Sequence, residues 1–365
     1  MHGGGAERVA SILCNHWVGN GHSVTLVPTF SGRGECHYPL DKRVQLNYLA
    51  DRVGSRSGSL CNKVRRFIAL HRIIRESSPD VVVSFLPHVN VVAVLTSLNL
   101  QIQVVVSERT YPPAMPLGNA LELLRRLTYT RAMSVVVQTQ RSLQWLEGCC
   151  PKARGRVIPN PVTYPLPCSE PVVSPDTVVA RTRRVTLAVG RLGQEKGFDQ
   201  LLVAFGALAL QNFEWDLIIL GEGSERKNLE QLRDRLGLKG RVHLLGRVGN
   251  PGDWYAQADL YVMSSRFEGF PNTLLEAMAY GLPAVSFDCE TGPADIIRHG
   301  IDGYLVSPSE GEDGLSRAME ALMRDADMRQ RMGKEAIAVR ERFSAERIMA
   351  EWDEVLGLRK AGVDA

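Results

Sequence analysis

Short apolar runs recur along the chain at a spacing that leaves room for a helix between them. They are SVTLVP (23–28), VVVSF (81–85), VVVS (104–107) and VVVQ (135–138). Uninterrupted β-branched runs suit strands covered on both faces, and both faces are covered when helices connect strands that run in parallel. A second series follows at Val185–Val189, Leu217–Leu220, Val242–Leu245, Leu260–Met263 and Ala284–Phe287. Between the two lies IPNPVTYPLPCSEPVVSP (158–175), with six prolines and no periodicity, which is a linker composition. The pattern predicts two α/β domains with parallel sheets, residues 1–165 and 184–345, joined by a linker over 166–183. Ligands are expected in a cleft between them, at the carboxyl ends of the strands.

The opening MHGGGAERVA breaks this pattern. A glycine loop running into a helix ordinarily follows a strand, and here none precedes it. The first strand of the first domain is therefore expected to be missing, through a start assigned downstream of the true one. An apolar in-frame segment encoded just upstream would confirm that, and a nearby stop codon would refute it.

Charge divides along the same boundary. Residues 1–165 carry 19 Lys and Arg against 9 Asp and Glu, a net of +10, while residues 166–365 carry 24 against 31, a net of −7. A basic first half suits phosphates, an anionic membrane surface or nucleic acid, or is simply a solvated face. The seven cysteines form no C-x-x-C pair, which fits a reducing cytoplasm better than a disulfide or zinc framework. The most apolar stretch, Val89–Val106, is broken by Asn90, Thr96, Ser97, Asn99, Gln101 and Gln103, so it reads as a helix and a buried strand and not as a membrane span. No signal peptide is visible.

The sharpest chemistry lies in SSRFEGFPNTLLEAMAYGLP (264–283). A strand ends at Met263, Glu268 stands in the following loop, and Pro271-Asn272-Thr273 reads as a helix start with Asn272 as N-cap. The first amides, on Thr273, Leu274 and Leu275, form an anion site together with the helix dipole. Glu276, one turn in, suits the vicinal hydroxyls of a ribose, and Glu268 those of a sugar. The bland alternative is a capped helix with two surface glutamates. In VGRLGQEKGFDQL (189–201), Gly190 and Gly197 permit tight backbone, Arg191 offers a planar fork to a diphosphate, and Lys196 adds a point charge. LGEGSERKNLE (220–230) carries Gly221 and Glu222 where a strand meets a helix starting near Ser224; alone, that G-x-G is weak.

G-R-x-x-x-x-K-G, G-x-G-x-E and E-G-x-P-x-x-x-x-E, in this order along the chain, resemble the retaining glycosyltransferases of family 4. These have the GT-B fold, two Rossmann-like domains facing across a cleft. Glu268 and Glu276 match the family's paired glutamates, GGGAER its N-terminal loop, and FSAERIMAEW (343–352) the closing helix, with 346–365 crossing back to the first domain. CNKVRRFIALHRIIRESSPDVVVSFLPHVN (61–90) and VVSERT (105–110) resemble bacterial members that extend polyprenyl-diphosphate-linked oligosaccharides. By position, the resemblance implies that Arg191 and Lys196 hold and stabilise the departing donor diphosphate. Glu268 would contact the donor sugar and Glu276 the ribose. Backbone over Phe270, Pro271, Asn272, Thr273 and Leu274 would bind phosphate, and HLLGRV (243–248), with Leu245 and Gly246, would cradle the base. Gly4 and Gly5 would approach the donor from the facing domain. The implied reaction is front-face attack with retention, without metal or other cofactor. The donor is expected to be a UDP- rather than a GDP-sugar, and the residues fix neither nucleotide nor sugar.

On the acceptor side, Asp80–Asn90 reads as a strand whose carboxyl end presents His88 and Asn90. His88 would orient or deprotonate an acceptor hydroxyl, or is a loop histidine without catalytic duty. Glu108 and Arg109 follow the next strand and suit acceptor phosphate or sugar. LCNKVRRFIALHRIIRE (60–76) is a basic amphipathic helix. Arg65, Arg66 and Arg72 would hold a lipid diphosphate at an anionic bilayer, as in the resembling members, or the helix packs on the core with a solvated face. The resulting picture is a peripheral enzyme on the cytoplasmic face of the inner membrane that binds no nucleic acid. The rivals are a GT-B-fold epimerase or phosphorylase, and an inactive scaffold that binds lipid diphosphate.

Overall fold

The computed structural model describes residues 4–29, 38–53 and 60–358. The chain divides into two compact units, Met1–Pro161 together with Glu346–Ala365, and Val162–Ala345.

In the first unit, β1 (Thr25–Leu26) and β2 (Gln45–Leu46) pair in parallel as a two-stranded sheet. β3 (Val81–Phe85), β4 (Gln103–Ser107), β5 (Ser134–Val137) and β6 (Gly155–Val157) form a second, four-stranded parallel sheet in chain order. Among the described residues no strand joins the two sheets, and β3 has a ladder on its β4 side alone. The four-stranded sheet is covered on both faces. Alternation along the strands sends Val105 and Val136 to one face, against Val9, Leu13 and Trp17 of the helix Gly5–Gly19 and Ile348 and Trp352 of the helix Ala345–Leu356. Val104, Val106, Val135 and Val137 go to the other, against Val94, Tyr129 and Leu146. Asp353 ties the two helices of the first face together. It accepts from Trp17 Nε1 at 3.0 Å and contacts His16 Nε2 at 2.9 Å.

In the second unit, β7 (Arg184–Val189), β8 (Trp215–Leu220), β9 (Val242–Gly246), β10 (Leu260–Met263), β11 (Ala284–Phe287) and β12 (Gly303–Val306) form one parallel sheet in the order β12-β11-β10-β7-β8-β9. β8, with all six residues buried, shows why the run is apolar throughout. Leu217 and Ile219 face the helix Phe198–Ala209, while Ile218 and Leu220 face Trp254, Tyr255 and the helix Asn272–Ala279. From Val162 on, the proline-rich stretch is built into this unit and is not a free tether. Ser169 N donates to Gly249 O at 2.7 Å, Gly249 N to Pro171 O at 2.6 Å, and Trp254 Nε1 to Val173 O at 3.0 Å.

Candidate active site

β7 and β10 are neighbours in the sheet, yet the chain leaves β7 toward β8 and reaches β10 only after β9. At such a reversal of strand order the loops leaving the carboxyl ends run to opposite sides and open a crevice. The β7 loop carries Gly190, Arg191 and Lys196, and the β10 loop carries Ser264, Ser265 and Glu268. Both are seated by glycines. Gly197 has φ +61°, and a Cβ there would stand 2.1 Å from the Ser264 carbonyl oxygen, so the two loops meet at backbone distance. Gly221, at the end of β8, has φ +142°, and a Cβ there would stand 1.8 Å from Gly190 O. Its amide donates to Gly246 O at 2.8 Å, so Gly190, Gly221 and Gly246 form a closely packed floor at the ends of β7, β8 and β9.

Across the crevice Lys196 Nζ donates to Glu268 Oε1 at 2.6 Å. Ser265 Oγ donates to the same oxygen at 2.6 Å, and Thr291 Oγ1 holds the Glu268 carbonyl at 2.5 Å. Ser264 Oγ in turn donates to Lys196 O at 2.9 Å. Arg191 extends into solvent, its side chain 77% exposed, with Nη2 3.0 Å from Glu195 Oε1. Glu222 accepts from Arg226 Nε at 2.8 Å, and the helix there begins at Arg226 and not at Ser224.

The helix after β10 runs Asn272–Ala279 with Pro271 as N-cap. The expectation of Asn272 as cap is therefore corrected by one residue, since proline is already extended at φ −77° and ψ 104°. Leu275 N is also spent, donating to Pro271 O at 3.3 Å, which leaves the amides of Thr273 and Leu274 at the helix opening. The side chains of Phe270 and Leu274 are core, so what they bring to the opening is backbone. Glu276 is buried and its Oε2 accepts from Tyr255 OH at 3.0 Å. Thr273 Oγ1 accepts from Tyr261 OH at 2.9 Å. Leu245 is half-buried beside the glycine floor.

The first unit places its expected residues differently. β3 stops at Phe85, because Leu86 takes φ +77° and Pro87 opens the helix Pro87–Ser97. His88 and Asn90 therefore lie on the first turn of a helix and not on a strand. His88 is exposed at the surface, with partial burial lowering its pKa. Asn90 is corrected as an acceptor contact. It is fully buried and uses its amide internally, accepting from Ser84 Oγ at 2.8 Å and donating to Ser107 O at 3.0 Å and Tyr129 OH at 3.1 Å. Glu108 is buried as well, accepting from Tyr129 OH and lying 3.7 Å from Arg125 Nη1. Its carboxylate presents nothing to solvent, so it too is corrected from contact to scaffold. Arg109 is 8% exposed, donates to Asn160 Oδ1, lies over the Phe85 ring, and faces no carboxylate among the described residues. Gly4 is the N-cap of the first helix, with Gly5 its first residue. In the helix Leu60–Ser77, Arg65 and Arg72 are exposed and Arg66 reaches Thr29 O. Ile73 and Ile74 are buried while Val64, Phe67 and Ile68 face solvent, so the expected apolar face splits halfway along the helix.

Two open hollows of about 570 and 480 Å³ adjoin the Gly193–Glu195 turn, but neither is lined by Lys196, Glu268 or Glu276. Among the described residues, no cluster of three or more His, Cys, Asp or Glu side chains is arranged to hold a metal ion, and no helix is long and apolar enough to cross a membrane. Ser265, Thr291 and Tyr255 were not anticipated. Ser265 carries a weak local signal, a hydroxyl three residues before an expected glutamate, and the other two are remote in sequence.

Six parallel strands in this order, with a charged pair at the switch point, fit one of the two Rossmann-like domains of the GT-B class of fold. The chain matches the family description "Glycosyltransferase Family 4" over residues 3–164 and "Glycosyl transferases group 1" over residues 173–339. It belongs to the family 4 glycosyltransferases. An exopolysaccharide phosphotransferase of Streptomyces coelicolor is 29% identical over 96% of this chain, which spans 39% of that protein's length. An amylovoran biosynthesis glycosyltransferase of Erwinia amylovora is 28% identical over 97% of this chain and 96% of its own. A Campylobacter jejuni α-1,4-N-acetyl-D-galactosaminyltransferase, named for an undecaprenol-diphosphate-linked substrate, is 26% identical over 96% and 94%. Among solved structures, the Anabaena protein HepE in complex with UDP superposes with a TM-score of 0.79 at 20% identity, covering 97% of this chain and 96% of that one.

Proposed function

We propose that the chain transfers a hexose or N-acetylhexosamine, with retention, from a nucleotide-sugar to a polyprenyl-diphosphate-linked glycan in surface polysaccharide or glycoconjugate assembly. The observation that carries this reading is the Lys196–Glu268 contact at the switch point, beside the open start of the Asn272–Ala279 helix. Glycosyl transfer breaks a C–O bond to a diphosphate while negative charge builds on the leaving group, so fixed cations and helix amides are the useful catalysts. Lys196 and Arg191 supply the cations, and Thr273 and Leu274 the amides. Glu268 accepts from hydroxyls of the departing sugar, and Glu276, with Tyr255 behind it, from the ribose. Retention follows from front-face attack, the donor phosphate taking the acceptor proton. The donor is a UDP-sugar by preference, in keeping with the UDP held by the Anabaena protein. The lipid-linked acceptor is in keeping with the name of the Campylobacter relative. On the first unit, the exposed His88 orients the acceptor hydroxyl, while Arg109, buried against Phe85 and bonded to Asn160, supports the scaffold beneath it. The basic helix rests on the cytoplasmic face of an anionic membrane.

The test is nucleotide release from a panel of UDP- and GDP-sugars, with and without lipid-linked acceptor, and a thermal-shift comparison of UDP with GDP. Turnover that falls by about 10²–10³ in Glu268→Ala, leaving a measurable residue, supports the reading. If no donor is consumed under any condition, the enzyme reading fails and a scaffold reading replaces it.

A further inference from the structure

The Ser264-Ser265 pair at the exit of β10 connects with both members of the charged contact. Ser264 Oγ holds the main chain of Lys196 at 2.9 Å, and Ser265 Oγ holds the carboxylate of Glu268 at 2.6 Å. Both serines are buried, Ser265 to 2% exposure. The two donors to the Glu268 carboxylate, Lys196 Nζ and Ser265 Oγ, fall on one oxygen, Oε1. Oε2 has no partner among the described residues and is not enclosed as a buried unpaired atom. Thr291 fixes the same residue at its carbonyl. The glutamate is thus anchored on one edge and open on the other.

Lys196 is asked for two things, an anchor for Glu268 and a cation for a diphosphate. An ammonium on a four-carbon stem has three donors and can turn between them. When it turns, Glu268 keeps its place only if a second donor remains. A hydroxyl bonded to a carboxylate makes a short, charge-assisted bond, and this hydroxyl stands on a rigid, buried strand end. We infer that Ser265 is a positioning residue: it holds Glu268 by Oε1, presents Oε2 to a donor-sugar hydroxyl, and keeps doing so while Lys196 engages the diphosphate. This rests on the reading of Glu268 as the sugar contact.

The experiment compares Ser265→Ala in the wild-type and Glu268→Ala backgrounds, measuring nucleotide release and UDP binding. In the wild-type background kcat/KM for the nucleotide-sugar should fall roughly tenfold, the loss of one hydrogen bond to a charged group, while UDP affinity stays within about twofold. In the Glu268→Ala background the same change should do nothing further, because there is no carboxylate to hold. Equal losses in both backgrounds, an unchanged single variant, or a parallel loss of UDP binding would each overturn the inference. Ser265→Cys, which keeps the volume and weakens the donor, carries the test if the alanine variant does not fold. A wild-type protein that consumes no donor removes the glycosyltransferase reading itself, whereas an active wild type with an unaffected Ser265→Ala removes the role of Ser265 alone.

Discussion

Lys196 and Glu268 meet at 2.6 Å although 72 residues separate them, because their loops leave adjacent strands of one sheet. Removing either partner should have opposite effects on binding. Glu268→Gln frees the ammonium, so affinity for UDP holds or rises, while turnover falls by about 10²–10³. Lys196→Met weakens UDP binding and leaves Glu268 on Ser265. Calorimetric titration with UDP, alongside nucleotide release, distinguishes the two; a common loss of UDP affinity would contradict the assignment.

Two buried arginines of the first unit should respond in opposite directions to removal. Arg109 has no acidic partner among the described residues, and burial lowers its pKa to about 9. It stays charged at neutral pH at a cost, so Arg109→Met should stabilise the protein by about 1 kcal/mol or more. Arg125 pairs with Glu122 and stands 3.7 Å from Glu108, and Arg125→Met removes the buried cation that both carboxylates face, costing about 3–5 kcal/mol. Urea unfolding of both variants checks the signs.

Glu108 sets a pH dependence. Burial raises its pKa above the usual carboxyl range, with the Tyr129 hydroxyl and Arg125 pulling it partly back. The folded state therefore binds this proton more tightly than the unfolded one. Its contribution is full below the ordinary carboxyl value and is lost as pH rises through the folded value. Glu108→Gln should gain on wild type at pH 7, and the gap in unfolding midpoint should narrow toward pH 4.

Val64, Phe67 and Ile68 are exposed on the same helix as Lys63 and Arg65. Sedimentation with phosphatidylserine vesicles should show binding that falls with salt and with Arg65, Arg66 and Arg72 reversed to Glu, by about 1 kcal/mol per charge. Phe67→Asp should weaken what salt leaves. Salt-insensitive partitioning would count against an electrostatic surface.

If helix amides and the two cations carry the leaving-group charge, chelation should matter little. Turnover in excess EDTA is expected to stay within about twofold of the untreated enzyme. A large loss restored by a divalent cation would require another mechanism.

Much of the second unit was readable because its strands are buried on both faces and hence apolar without interruption. β12, GYLV with two half-buried residues, lacks that signature and was missed, as were the polar β2 and the glycine-led β6. Glu268, Glu276 and Lys196 stand out through their places after strand ends and at a helix start, and through the family resemblance. Asn90 does not lie at a strand end, because the turn at Leu86 ends the strand at Phe85, five residues short of it, and the helix that follows rolls the amide into the core. Thr291 reaches the site from 23 residues beyond Glu268, and no local pattern announces such a contact.

The glycine floor has a consequence for protein engineering. Gly221 has no volume to give, since any side chain there collides with the Gly190 carbonyl, and Gly246 sits at φ +78°. Codon randomisation at these positions should return glycine and little else. A library aimed at the donor specificity proposed above is better spent on Glu222 and Leu245, the side chains that follow and precede Gly221 and Gly246 in the chain.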